Sequence, residues 1–301
     1  MHKIAFAVVG NCQARPLANI IRLCKPDWDC VEVTVVHLSK PGNAETDLEK
    51  LARADVIFAQ SVGNSYFNAH LATENLREQL RADLFEWPNL FFHGQNPDCF
   101  YLSGESGRIK SPLDEYHIKS IFDDWHGGHS VQEAVRNYTV DGLFDEETVE
   151  RRVEASFRNL KMREEKADIS VADVVAERWR DEPLFHVFNH PTSRILIECA
   201  ERLLEIAGQK ASEMPSPGAL GEPLGRFVPP LSPALARLLG LRFLTSTFSM
   251  GIEVNWSDKE SFRLGKPRSY DLGEFVETSF RIYEFHRDEL IDPSLTPRLA
   301  S

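Results

Sequence analysis

Apolar runs and helical patterns alternate along the first hundred residues. Short apolar stretches at residues 3–9, 31–38, 55–59 and 89–92 read as buried strands, and the segments between them carry apolar side chains at helical spacing. Leu17, Ile20, Ile21 and Cys24 fall at i, i+3, i+4 and i+7, which is one face of a helix and assigns Cys24 to the core. Pro16 suits the first turn of that helix, where a missing amide hydrogen costs nothing. Further helices are predicted near residues 44–52 and 68–80. Strands joined through helices imply right-handed crossovers, and the pattern predicts an α/β fold with a doubly wound, mostly parallel sheet.

Residues 130–180 read as helical and highly charged, with the charges on solvated faces. Pro183 to Phe188 is apolar and ends in Asn189-His190-Pro191. Behind it Leu196, Ala200, Leu203, Leu204 and Ala207 mark an amphipathic helix that Gly208 stops. Six of the 17 prolines lie in residues 211–233, which predicts an extended covering segment. A short helix at 233–239, a strand or extended stretch at 242–248, a helix near 272–287 and a frayed tail over the last ten residues complete the reading. The expected organisation is an α/β core over 1–125, a mainly helical part over 126–210 that completes the site, and a covering region over 211–301.

Charge narrows the partners. Lys and Arg number 34 against 46 Asp and Glu, a formal net charge of −12. Such a field repels polyanions, so nucleic acid is not an expected partner. The five cysteines are odd in number and form no CxxC pair, which excludes a disulfide framework and a zinc ribbon and points to a reducing, cytoplasmic compartment. No apolar run approaches the roughly 20 residues of a membrane span. The short run at residues 4–9 lacks a signal-peptide cleavage site. Neither GxxxxGK[ST] nor a GxGxxG after the first strand is present, so a nucleotide fold of those types is not expected.

In an open α/β sheet, ligands bind beyond the carboxyl ends of the strands. The first expected strand ends in Gly10-Asn11-Cys12-Gln13-Ala14-Arg15, the third in Gln60-Ser61, and the fourth in His93-Gly94-Gln95-Asn96. Uncharged polar groups of this kind suit oxyanion and substrate contacts, which makes Asn11, Gln13, Gln60, Ser61, His93, Gln95, Asn96 and Asn189 candidates. Cys12 sits between a strand and a helix amino-terminus, where exposed amides are expected to lower its pKa and favour a nucleophilic thiolate. The bland alternative is a small buried cysteine closing a tight turn. His190, with Pro191 at the first helical position, is expected at the helix N-cap as a neutral base, or simply as a cap. His93 is the second choice of base, or a packed strand-end histidine. Asp98, Asp114, Tyr116 and His117 are possible orienters of a base. Arg15 with Arg263, Lys266 and Arg268 is the expected local basic pocket for an anionic ligand, against the plain reading of a solvated loop. Trp125-His126-Gly127-Gly128-His129 has HxxH spacing but no third ligand nearby, so no metal is expected.

The Val9-Gly10-Asn11-Cys12-Gln13-Ala14-Arg15-Pro16-Leu17 segment resembles the opening of the WcbI-type polysaccharide-biosynthesis family, in which a GNCQ turn follows the first strand. Gln60-Ser61, His93-Gly94-Gln95-Asn96 and Phe188-Asn189-His190-Pro191 occur in a similar order, and the resemblance runs to about residue 210. It implies a flavodoxin- or SGNH-like three-layer fold with a helical insertion and a role in bacterial capsule assembly. It also implies binding of coenzyme A or acetyl-CoA as a substrate, and transfer of an acetyl group to a sugar or polysaccharide-precursor hydroxyl. Cys12 matches the cysteine of the turn and His190 the histidine of the later segment. The layout is also similar to GDSL-type esterases, except that Val187 stands where their acidic residue would, so a dyad replaces a triad. An esterase and a non-catalytic binding module for coenzyme A or glycan are the alternatives.

Overall fold

The computed structural model describes residues 3–105, 107–211, 213–257 and 261–290. The tail expected to fray lies outside them. Two compact units divide the chain: residues 1–91, 157–177 and 189–224, and residues 92–156, 178–188 and 225–301.

The first unit opens with β1 (Ala5–Gly10), α1 (Ala14–Cys24), β2 (Asp29–Val35), α2 (Ala44–Leu51), β3 (Val56–Gln60), α3 (Thr73–Gln79) and β4 (Asp83–Trp87). Four parallel strands run in the order β2-β1-β3-β4, so the winding direction reverses between β1 and β3. Brändén's rule puts the ligand crevice at that reversal, beyond Gly10 and Gln60. Ala7, Val9 and Ala59 face Leu51 of α2 and Leu76 of α3. The alternating positions Phe6, Val8 and Phe58 are fully buried on the opposite side. As predicted, α1 buries Leu17, Ile20, Ile21 and Cys24. Each such aliphatic side chain contributes about 1.5–3 kcal/mol on burial.

Later elements are β5 (Cys99–Tyr101), β6 (Ser103–Gly104), β7 (Gly107–Arg108), β8 (Tyr116–Ile118), α4 (Lys119–His126), α5 (Val131–Thr139), α6 (Glu146–Glu164) and α7 (Ala172–Arg178). After these come α8 (Ser193–Ile206), α9 (Pro217–Leu220), α10 (Pro233–Leu239), β9 (Ser249–Trp256), β10 (Phe262–Tyr270), α11 (Leu272–Phe285) and α12 (Arg287–Leu290). In the first unit α8 packs on α1 and β4. Helices thus cover both faces of a parallel sheet, the doubly wound three-layer arrangement expected. In the second unit α4, α5 and α11 pack together, β5 pairs with β8, and β9 with β10 forms an antiparallel ribbon. Among the described residues no helix is long and apolar enough to cross a membrane.

Three expected elements moved. The fourth strand is Asp83–Trp87, not residues 89–92: Asp83 and Glu86 broke its apolar pattern, while Pro88 ends its ladder. The helix over 68–80 shortens to α3, because residues 69–71 turn as a 3-10 helix and the Asn68 amide is held by the carbonyls of Val36 and Ser39. Residues 242–248 form no strand; Leu244 there is 97% exposed, and the strand begins at Ser249.

Candidate active site

Local chemistry folds the turn after β1 on itself. The Asn11 side-chain carbonyl accepts from the Gln13 N–H at 2.9 Å and from the Cys12 thiol at 3.9 Å, and the Asn11 main-chain carbonyl accepts from Ala14 N–H at 3.0 Å. These bonds are an Asx turn that takes up the first amides of α1. Gly10 is required just before it: a Cβ there would lie 2.8 Å from the Trp87 ring.

Gln13 is fully buried and uses all four of its side-chain hydrogen-bonding positions. Its Nε2 donates to the Leu90 and Asn189 carbonyls, both at 2.8 Å, and its Oε1 accepts from Gln60 Nε2 at 3.0 Å and Leu90 N–H at 3.3 Å. Gln60 in turn accepts from Asn11 N–H at 2.9 Å through Oε1, and Asn11 Nδ2 donates to Asn89 Oδ1 at 3.2 Å. The side chains of Asn11, Gln13 and Gln60 thus form one network. Their amides hold the strand ends together, and Gln13 has no polar position left for substrate. Asn89 belongs to this network and is no candidate from sequence, because the apolar pattern makes it the first residue of the fourth strand. A correct end of β4 at Trp87 would have exposed it.

Through Gln13 the structure brings together two of the expected segments. Asn189 is bonded to the residue that follows Cys12, and His190 is the next residue along. His190 is 9% exposed. It stands two residues before the N-cap of α8, which is Thr192, so Pro191 precedes the helix and does not start it. The Ser193 N–H donates to Glu222 Oε2 at 2.9 Å, and the Ser193 hydroxyl donates to the Gly221 carbonyl. A carboxylate from the proline-rich segment thus caps α8. Glu222 carried no motif that sequence reading could have flagged.

Cys12 is half-buried, and burial pushes its thiol above the usual range; the amides of Cys12 and Gln13 pull it down by less. The expected low pKa is therefore corrected. Desolvation of the thiolate outweighs the two turn amides, although Asn11 also accepts from the Gln13 N–H. Among the described residues the Cys12 N–H donates to no other residue, leaving one amide open at the turn.

The other expected site residues divide between the two units. Ser61 follows Gln60 directly, with its N–H donating to the Trp87 carbonyl at 2.8 Å. In the second unit, His93 stacks on Phe188 at 4.2 Å between ring centres. Gln95 is buried, donating to the Trp179 and Glu182 carbonyls and accepting from Leu184 and Phe185 N–H, which spends its amide on loop structure. Asn96 Nδ2 donates to the Phe185 and His186 carbonyls at 3.4 and 3.3 Å. Arg263, Lys266 and Arg268 stand exposed on β10, a strand where a loop was one reading, and Arg268 pairs with Glu274 at 2.7 Å. Arg15 is exposed in the first unit. His129 bonds Asp124 at 2.7 Å, closing the end of α4. Among the described residues no three His, Cys, Asp or Glu side chains form a metal-binding group. A Ser39, Asp47 and His70 cluster has the wrong order for a hydrolase: the carboxylate, not the imidazole, stands in the middle and meets both partners.

The model of the family described as "Polysaccharide biosynthesis enzyme WcbI" matches residues 5–212. A solved structure of WcbI superposes with a TM-score of 0.71 at 18% identity, covering 95% of this chain and 96% of that one. That protein is described as a novel polysaccharide biosynthesis enzyme, in its native form without a disulfide bond between coenzyme A and one of its cysteines. No curated protein matches the chain.

Proposed function

Since the chain belongs to the WcbI family of polysaccharide biosynthesis enzymes, we propose that it is a coenzyme A-dependent acyltransferase that moves an acetyl group to a sugar hydroxyl. The observation that carries this reading is the Gln13 side chain bonding the Asn189 carbonyl, which fixes the Cys12 turn and the His190 segment to one another. The description of the related structure, which mentions coenzyme A and a cysteine together, supports Cys12 as the residue beside the thioester.

Chemistry then favours direct transfer over a covalent enzyme intermediate. Burial keeps Cys12 as a thiol at neutral pH, so an attacking thiolate would first need its proton removed. In direct transfer, His190 takes the proton of the acceptor hydroxyl as its oxygen attacks the thioester carbonyl carbon. The Cys12 N–H donates to the resulting oxyanion. The carbon–sulfur bond then breaks, the coenzyme A thiolate leaves with the electron pair, and it recovers the proton from His190. Cys12 lines the sulfur of the cofactor as a neutral neighbour.

The test is turnover of acetyl-CoA with a sugar acceptor, read as free coenzyme A and acetylated product. Cys12→Ala is expected to keep turnover and coenzyme A binding, while His190→Ala is expected to lose turnover and keep binding. Loss of turnover in Cys12→Ala with binding intact, together with an acetyl adduct on the intact wild-type chain by mass, would replace direct transfer by the covalent route. Absence of coenzyme A binding by the wild-type chain would defeat the proposal.

A further inference from the structure

The first unit holds a cavity of about 590 Å³ at the carboxyl edge of β3 and β4. That size falls within the roughly 300–1,000 Å³ of small-molecule sites. Ser61 and Asn64 of the loop after β3, Glu74 and Arg77 of α3, Glu86 of β4, and Lys166 line it. We infer that this cavity is the acceptor subsite, and that it takes a neutral, hydroxyl-rich sugar. The inference rests on the acyltransferase reading for the word acceptor, but the sugar chemistry follows from the lining.

Position comes first. Ser61 is the residue after Gln60, whose Oε1 receives the Asn11 N–H of the Cys12 turn. The cavity therefore begins one residue from the network that holds the proposed site, at the carboxyl edge of the sheet and one strand over from the reversal. Its walls are built. Thr73 Oγ1 donates to the Gln60 carbonyl at 3.2 Å and accepts from Val62 N–H at 3.0 Å, which ties the β3 loop to α3. Glu86 forms a buried wall with 8% of its side chain exposed; Arg77 lies 3.2 Å away, and the Glu86 N–H donates to Asp168 at 2.6 Å.

Chemistry selects the class of ligand. Two carboxylates, Glu74 and Glu86, balance two cations, Arg77 and Lys166, and the Asp168 carboxylate adjoins Arg77 at 3.5 Å. A polyanion gains no net attraction there. Val62 is the one purely aliphatic side chain of the wall, so an aromatic base has no ring to stack on and an acyl chain only a single such neighbour. Asn64 Nδ2 donates to Glu74 at 2.7 Å, and the remaining lone pairs of the carboxylates accept from hydroxyls while Lys166 and the remaining N–H groups of Arg77 and Asn64 donate to them, which is the alternation that a ring of sugar hydroxyls offers. Lys166 pairs with no carboxylate among the described residues, so its ammonium is available.

Ligand-observed saturation-transfer NMR on the full chain tests this, with the methyl glycosides of glucose, galactose and mannose as probes. Transfer to at least one glycoside is expected in the wild type. Asn64→Trp, which fills the mouth from an exposed position, is expected to weaken it at least about tenfold, or about 1.4 kcal/mol. Glu86→Gln and Lys166→Ala are expected to weaken it less, and all three variants to bind coenzyme A as the wild type does. Transfer to none of the glycosides, transfer unaffected by Asn64→Trp, or preference for glucuronate over the neutral glycosides would overturn the inference. Coenzyme A failing to bind while the glycosides still do would defeat the acyltransferase reading and leave a sugar site standing.

Discussion

Gln13 Nε2 lies 2.8 Å from the carbonyl oxygen of Asn189, a residue 176 positions later in the chain. One buried amide thereby fixes the turn that carries Cys12 to the segment that carries His190. The same nitrogen holds Leu90, so three chain segments share a single side chain.

Replacing that amide should cost both stability and activity. Gln13→Ala removes the donor to the Asn189 and Leu90 carbonyls and the acceptor of the Gln60 amide, and each lost bond to a buried polar group costs about 1–3 kcal/mol. A loss of at least about 2 kcal/mol by denaturant melts is expected, with coenzyme A binding weakened in whatever fraction still folds. Full stability in Gln13→Ala would show that the network is not holding the turn.

Cys12 should react slowly with iodoacetamide at neutral pH. Because burial raises the thiol above its reference of 9.0, the thiolate fraction is smaller than that of a free cysteine at any given pH. The alkylation rate, followed by mass at this site, is expected to keep rising beyond pH 9.0, and a plateau below it would contradict the burial argument.

Acid should destabilise the second unit through His117. Its pKa is pushed down to about 4 by burial, with Nδ1 accepting from the Tyr283 hydroxyl at 3.1 Å and Nε2 donating to the Ile109 carbonyl at 3.1 Å. A depressed folded-state value means that the unfolded chain binds the proton first as pH falls. Stability is therefore complete above about pH 6.5 and drains away down to about pH 4, by an amount on the order of 3 kcal/mol. His117→Gln should flatten that limb of the stability curve measured by calorimetry between pH 4 and 7.

Glu222 should matter beyond its place in a loop. Glu222→Ala removes the acceptor of the Ser193 N–H at the start of α8, and the loss of such a cap costs about 1 kcal/mol. Faster amide exchange at Ser193 is the expected signature, and an unchanged rate would show that the carboxylate is idle.

Some of this was legible from the chain and some was not, for identifiable reasons. The i, i+3, i+4, i+7 face of α1 and the first three strands came through because hydrophobic period is a local property. β4 was misplaced because an edge strand with Asp83 and Glu86 has no clean apolar run. The GNCQ turn is visible as polar density at a strand end, whereas the complete use of the Gln13 amide by the scaffold is not.

Sequence by itself determined the alternation of strands and helices, the place of the GNCQ turn after β1, and the family resemblance carried by that turn. Tertiary structure alone decided how the turn is held and which way the Cys12 pKa moves. Both depend on groups brought from far along the chain: Leu90 and Asn189 lie 77 and 176 positions from Gln13. Burial and hydrogen-bond satisfaction are sums over spatial neighbours, and no local pattern of residues contains those sums.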